Sequence, residues 1–480
     1  MGRAVFFAAC FLLASRCPAG GVERPNIIVI VTDDQGFADL GVQESLDDVK
    51  TPHIDALAHS GVRMPHGYVS APQCVPSRAG LLCGRYQNRF GLETNVDGPF
   101  PLQERTIAER LNQAGYVSGM VGKWDLDRRA RERLRMARDR HLLRELVATD
   151  VRGRRIAAES RRRREVADAR FLPAHQGFGE FFCGSEHRYV VSHDLDGKPL
   201  AGERNIVTSK RFRVDIQTEA ALSFIDRNAK GRFFLYVSYY APHVPLSATP
   251  EYLERFAQIR GPRRTALAMI SAMDDGVGKI VQKLRDWGVE RNTLIFFLSD
   301  NGAPLQSEGW NGSRNDPLVG GKGMLTDGGI RVPFIATWPG MLPSGKVYEH
   351  PVISLDIAST AVAAAGLPLD EQLDGVDLVP YLRGENISAP HDALFWRWRS
   401  QAAIRAGRWK LLRLGADHRF LFDLEHSHGE AQNVAVKHPK IADQLEQRLQ
   451  QWSAQMKPAG LPTDVHPRDK KFFENHLDAD

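Results

Sequence analysis

The sequence predicts an α/β protein with a large mixed, mostly parallel sheet sandwiched by helices, and with a small C-terminal antiparallel sheet plus helix. Three observations carry this expectation. Continuous apolar runs rich in β-branched and aromatic residues, at 26–32, 233–240 and 293–298, read as strands buried on both faces, as in a parallel sheet. The stretch 265–288 carries Met269, Met273, Val277, Ile280, Val281 and Leu284 at helical spacing and reads as a helix with that face inward. From Ala403 the pattern shifts to strands of antiparallel character, at 403–414 and 420–424, joined by a loop with Gly415 and Asp417. At 480 residues the chain exceeds one ordinary core, which suits a large domain with a smaller companion.

Composition is that of an ordinary globular protein, with 42% hydrophobic and 25% charged residues. The first segment is different. Arg3 precedes the apolar run Ala4 to Ala14, and Cys17-Pro18-Ala19 offers a small residue at a cleavage position, so residues 1–20 read as a secretory signal. Arg16 stands where lipoprotein signals carry a small residue, which favours plain export over a lipid anchor at Cys17. No other apolar run approaches the length of a membrane span, and the expectation is an exported protein, periplasmic or secreted. Cys74, Cys83 and Cys183 then remain, too few for a disulfide framework; Cys83 and Cys183 are a single bridge or, more simply, two buried thiols.

Taken in order, the strand 26–32 ends at Asp33-Asp34, adjacent carboxylates that repel unless a cation lies between them. A calcium ion is the economical explanation, at an edge where open α/β sheets gather their ligands. Pro52 opens a helix over 51–58, in which His53 and Asp55 read as structural. A helix over 106–114 precedes the strand 116–121, which ends at Gly122-Lys123-Trp124. Residues 126–170 hold 16 Arg, no Lys and 8 Asp or Glu, a net of +8 against +5 for the whole chain. The basic balance thus belongs to one segment and argues against nucleic-acid binding by the rest. That segment is either a basic insertion suited to anionic substrates or a misread reading frame. The strand 233–240 delivers His243 between Pro242 and Pro245, a placement suited to proton transfer. The strand 293–298 ends at Asp300-Asn301, whose oxygens would complete an all-oxygen cation cage with Asp33 and Asp34. Glycines around Lys322 let it approach a ligand closely. A strand at 333–338, a small-residue helix at 355–366 and a helix at 439–456 complete the reading. Asn311-Gly-Ser and Asn386-Ile-Ser are glycosylation sequons only in a host that glycosylates.

The most specific stretch is Cys74-Val75-Pro76-Ser77-Arg78, followed by Leu81-Leu82-Cys83-Gly84-Arg85. Most lone cysteines are inert core residues. Here a proline two residues on and an arginine four residues on hold Cys74 at the start of a helix, where amide dipoles and a guanidinium favour an anion. The stretch resembles the signature of the type I sulfatase family, within the alkaline phosphatase superfamily, with Cys83 where threonine is usual. Similar family segments are Thr51 to Ala58, Gln176-Gly177-Phe178, Ser192-His193-Asp194, Ser299 to Gly302, Gly320 to Pro333 and Phe422 to Glu425. Gly122-Lys123-Trp124-Asp125 departs from the family's Gly-Lys-Trp-His, with Asp125 in place of histidine.

The resemblance implies an alkaline phosphatase-like fold, a catalytic domain over 24–385 and a C-terminal subdomain over 386–480. It implies a calcium- and formylglycine-dependent sulfuric ester hydrolase acting on a sulfated organic substrate, with sulfated sugars or glycans as the family-level guess. Cys74 would be converted to formylglycine by a formylglycine-generating enzyme. One calcium ion would be held by Asp33, Asp34, Asp300, Asn301 and residue 74. Cys74, Arg78, Lys123, Asp125, His243 and Lys322 would be catalytic, with Lys123, Ser192, His243 and Lys322 touching substrate. Two rivals stay open: a phosphoester hydrolase of the same superfamily, and a catalytically impaired calcium- and glycan-binding protein, the latter because of Asp125.

Overall fold

The computed structural model describes residues 24–127, 169–184, 187–202, 205–306, 309–425 and 429–477. The expected export signal, and residues 128–168 of the arginine-rich stretch, lie outside them. Among the described residues, eleven strands precede residue 350: β1 (Asn26–Thr32), β2 (Val62–Arg63), β3 (Gly67–Tyr68), β4 (Val117–Gly122), β5 (Glu180–Gly184), β6 (Arg188–Val191), β7 (Asn205–Thr208), β8 (Phe233–Ser238), β9 (Thr293–Ser299), β10 (Phe334–Thr337) and β11 (Lys346–Val347). All but β3 join one ten-stranded sheet in the order β11-β2-β10-β9-β1-β8-β4-β5-β6-β7. Its centre, β9-β1-β8-β4-β5, is parallel, while β10, β6 and β7 add antiparallel pairings at the flanks. β3 pairs in parallel with β12 (Val352–Ile353) in a separate ribbon.

Alternation along β1 explains why the run is apolar throughout. Ile27, Val29 and Val31 enter one apolar cluster, and Ile28 and Ile30 enter the other. The helices Pro52–Ser60, Arg213–Asn228 and Gly261–Asp286 cover the second face. The helices Cys74–Cys83, Ile107–Asn112 and Asp356–Ala364 cover the first. The six apolar residues expected inward on 265–288 are all buried there. Cys74, Cys83 and Cys183 are free and buried, in line with the simpler reading.

β13 (Leu394–Trp398), β14 (Gln401–Ala406), β15 (Trp409–Leu414) and β16 (His418–Asp423) form the antiparallel C-terminal sheet, backed by the helix Pro439–Ser453. Residue 385 lies between the helix Val379–Arg383 and β13. One apolar cluster nevertheless continues across it, taking in Tyr68 and Leu355 on one side and Trp396, Leu412 and Trp452 on the other. Among the described residues no helix is long and apolar enough to cross a membrane.

Candidate active site

Because β1, β9, β8 and β4 run parallel, the residues that follow them meet at one edge. Backbone bonds tie the exits together: Asp33 N to Ala241 O at 3.0 Å, Asp300 N to Thr32 O at 3.1 Å, and Lys123 N to Ser238 O at 2.8 Å. Asp33, Asp34, Asp300 and Asn301 are thereby buried side by side. Asp34 adopts φ of 63°, a left-handed conformation that a non-glycine residue keeps only where its surroundings impose it. Its N–H donates to Asp300 Oδ1 at 3.1 Å, and its carbonyl accepts from Asn311 at 3.0 Å.

Cys74 opens the helix Cys74–Cys83, every residue of which is buried. Its Sγ lies 3.6 Å from Asp33 Oδ1, 3.9 Å from Asp34 Oδ1 and 3.2 Å from Lys322 Nζ. The turn before it is braced by Gln73 Oε1, which accepts from Asn95 N at 3.1 Å and from Trp398 Nε1 at 3.3 Å.

Cations interleave with the carboxylates. Lys123 Nζ contacts both oxygens of Asp33, at 2.9 and 2.8 Å, and Lys322 Nζ contacts Asp34 Oδ1 at 2.5 Å. Arg78 places Nε and Nη2 each 2.8 Å from Asp300 Oδ2, and its Nη1 donates to Ser238 Oγ. His243 Nε2 lies 3.6 Å from Asp34 Oδ2, and its Nδ1 lies 2.6 Å from the Val244 carbonyl. A proton on Nδ1 satisfies that carbonyl and turns Nε2 toward the cluster. Asp125 sits at the rim in a left-handed conformation, φ 58°, with Oδ2 4.0 Å from Lys123.

The electrostatics follow from burial and these pairs. Burial pushes the Asp33 and Asp34 carboxyls upward, but Lys123 beside Asp33 and Lys322 beside Asp34, with His243, outweigh it, and both stay below the usual carboxylate range. Burial likewise opposes the charge on Lys123 and Lys322, and their carboxylate partners hold both amines above their ordinary values. The Cys74 thiol is raised, first by burial and then by Asp300. As a plain cysteine it is a poor thiolate nucleophile.

The donor set fits a hard cation. Asp33, Asp34, Cys74 and His243 each offer a ligand atom within 4.8 Å of the others, and Asp300 and Asn301 border the same group. Asn301 turns its Nδ2 to Asp34 Oδ1 at 2.7 Å and leaves Oδ1 buried with no hydrogen-bond partner, an acceptor in need of a positive neighbour.

The sequence-derived residues Cys74, Arg78, Lys123, Asp125, His243, Lys322, Asp33, Asp34, Asp300 and Asn301 are therefore brought together. Ser192 is not. Its Oγ accepts from Phe181 N at 2.8 Å and lies 3.0 Å from His193 Nδ1, on the β5–β6 pair away from the strand exits. Several supporting residues were not legible in the sequence. Asn311, a sequon asparagine, is fully buried with its Nδ2 on Asp34 O and Pro242 O, which leaves no room for a glycan. Gln401 of β14 clasps the Lys322 loop, donating to Gly323 O at 3.0 Å and accepting from Leu325 N at 2.8 Å. Such amides carry no motif; only long-range pairing reveals them.

A buried array of carboxylates and cations at the carboxyl edge of a parallel sheet offers ligand atoms for a hard cation and positive groups for an anion, at the edge where α/β enzymes bind their ligands. Comparison with known proteins narrows the class. The Sulfatase family model matches residues 25–367, and the model for the C-terminal part of N-sulphoglucosamine sulphohydrolase matches 321–455. N-acetylgalactosamine-6-sulfatase of Homo sapiens is 31% identical over 446 residues, covering 83% of this chain and 75% of that one. Steryl-sulfatase of Mus musculus is 30% identical, covering 85% and 72%. The solved structure of Ps i-CgsB in complex with k-i-k-neocarrahexaose superposes with a TM-score of 0.73 at 29% identity, covering 94% of this chain and 97% of that one. The chain belongs to the sulfatase family and is a sulfuric ester hydrolase.

Proposed function

We propose that the protein hydrolyses the sulfate ester of a sulfated sugar, with Cys74 converted to formylglycine by a formylglycine-generating enzyme and one calcium ion held by Asp33, Asp34, Asp300, Asn301 and residue 74. The observation that carries the reading is the convergence of Cys74 Sγ with Asp33, Asp34 and Lys322 in one buried cluster. The sugar assignment is supported by the relatives: one is an N-acetylgalactosamine-6-sulfatase, and the solved structure holds a neocarrahexaose.

Formylglycine supplies a geminal hydroxyl as nucleophile, and calcium supplies Lewis-acid polarisation of the sulfuryl oxygens. The chain's own residues do the rest. Arg78, Lys123 and Lys322 offset the charge of Asp33, Asp34 and Asp300 one for one, so a divalent cation leaves the site positive and ready for a sulfate monoester anion. The three cations then face negative charge that grows on the sulfuryl oxygens. His243, with Nδ1–H committed to Val244 O and Nε2 beside Asp34 Oδ2, would protonate the departing alcohol from Nε2 as the imidazolium, assisted by Lys322. Asp125, beside Lys123, stands ready to accept the proton whose loss releases sulfate.

The test is the mass of the peptide containing residue 74 together with sulfate release from an N-acetylgalactosamine sulfate. A peptide lighter than the cysteine form, and activity lost on chelation and restored by calcium, are expected. Turnover by a protein with an intact thiol at 74, or full turnover in chelator, overturns the proposal. Normal rates in a Cys74→Ser variant would favour a phosphatase-like nucleophile instead.

A further inference from the structure

Next to His243 lies a cavity of about 410 Å³ whose wall includes His187, Lys210, Arg211, Arg213, Pro245 and Thr249. Three elements place it on the same edge of the sheet as the reaction centre. β7 exits toward Lys210 and Arg211, the helix Arg213–Asn228 begins there, and the loop after β8 runs from His243 to Thr249. Arg213 is common to both places. Its Nη2 donates to the carbonyls of His243 and Pro245, and its guanidinium lies 5.4 Å from the Tyr240 ring centre, as Lys123 Nζ also does. Positive groups thus continue from the sulfate-facing lysine, across one aromatic ring, into the cavity wall.

Among the described residues no carboxylate lines it. The described acids nearby are Glu219, paired with Arg211 at 2.5 Å, Asp215 in the first turn of the helix, and Glu251, two residues beyond Thr249 and paired with Arg255 at 3.6 Å. The 16-residue helix also starts at this wall, where its free amides add to the positive field. A cavity of this size accommodates a sugar ring, and its walls would reward an anionic one.

We propose that this cavity is a subsite for a second anionic substituent, a sulfate or a carboxylate, on the sugar released beside His243. The substrate is then a polyanionic oligosaccharide rather than a singly sulfated sugar. The inference rests on the reading that His243 faces the leaving alcohol.

The test uses the full chain and three disaccharides that share one scissile sulfate: one otherwise neutral, one with a second sulfate on the leaving sugar, and one with a uronate carboxylate there. Wild-type kcat/KM should favour one or both doubly charged substrates by at least about fivefold. The preference should shrink as salt rises. In the double variant Lys210→Ala/Arg211→Ala the ratio should fall close to unity. The two charged arms tell sulfate from carboxylate. Equal rates on all three substrates, or a ratio retained by the double variant, overturns the subsite. Calorimetric binding of the same disaccharides to Cys74→Ala makes the same comparison without turnover. A protein that releases sulfate from no ester would refute the functional reading above, while the binding ratio would still decide the subsite. Lys210 and Arg211 are exposed, so the fold should survive, as an unchanged thermal midpoint will show.

Discussion

Asp125 is the residue whose chemistry departs most from the family pattern. It sits 4.0 Å from Lys123 at the rim of the cluster. A carboxylate is a weaker proton acceptor than an imidazole, with a reference pKa of ~3.9 against ~6.5, and its charge repels the ester. Alcohol release should therefore outpace sulfate release, giving a burst of alcohol before a slower steady state. Asp125→His should raise the steady rate by roughly tenfold or more, read as sulfate released under saturating substrate. An unchanged rate and an absent burst would remove Asp125 from the proton path. The left-handed backbone at Asp34 and Asp125 could not be read from the sequence, because aspartate tolerates that region without demanding it.

At the scale of elements, the C-terminal sheet clamps the catalytic loops. Lys410 of β15 is fully buried, with Nζ 2.8 Å from Asp327 Oδ1 and 2.6 Å from Glu430 Oε1. Asp327 starts the short helix that follows Lys322, and it also accepts from Tyr68 Oη at 3.2 and 3.1 Å. Lys410→Ala leaves two buried carboxylates without their shared cation and should cost about 3–5 kcal/mol in denaturant unfolding, with Lys410→Met also destabilising. Wild-type stability in the alanine variant would show that the network is not integral to the fold. His66 adjoins this network. Burial, then Arg331 and Arg405, lower its pKa from 6.5 to about 3, against the weaker pull of Asp327; His350 and Glu349, at 3.8 Å, also face it. It stays neutral in the fold while the unfolded chain takes a proton near 6.5, so its contribution is fully present above that pH and is lost progressively as pH falls toward 3. A His66→Gln variant should show a shallower loss of stability between those limits in acid titrations of the unfolding midpoint. These pairings explain what the sequence left hidden. β1, β8 and β9 were legible because continuous apolar runs have one physical reading, whereas β13, the helix Arg213–Asn228 and the helix Pro467–His476 mix charge with apolar residues and acquire their faces only from their neighbours. Asp33, Asp34, Asp300 and Asn301 were legible because they follow buried strands, and Ser192 misled because a short motif match says nothing about which strand end it occupies.

For the whole molecule, one apolar cluster runs from the main sheet through Trp396 and Trp452, so the two parts should unfold together. Removing residues 386–480 should give a protein that is insoluble or lacks cooperative thermal unfolding, because it bares Tyr68, Leu355 and the Lys322 loop at once. A soluble, active 24–385 fragment would show that the C-terminal sheet is dispensable. The clasp of Gln401 on Gly323 and Leu325 has a further consequence in time. A ribosome delivers Cys74 hundreds of residues before β14, and Glu430 later still. The nascent chain therefore carries Cys74 long before the clasp that fixes Lys322 exists, and the two can be held together only once β14 has emerged.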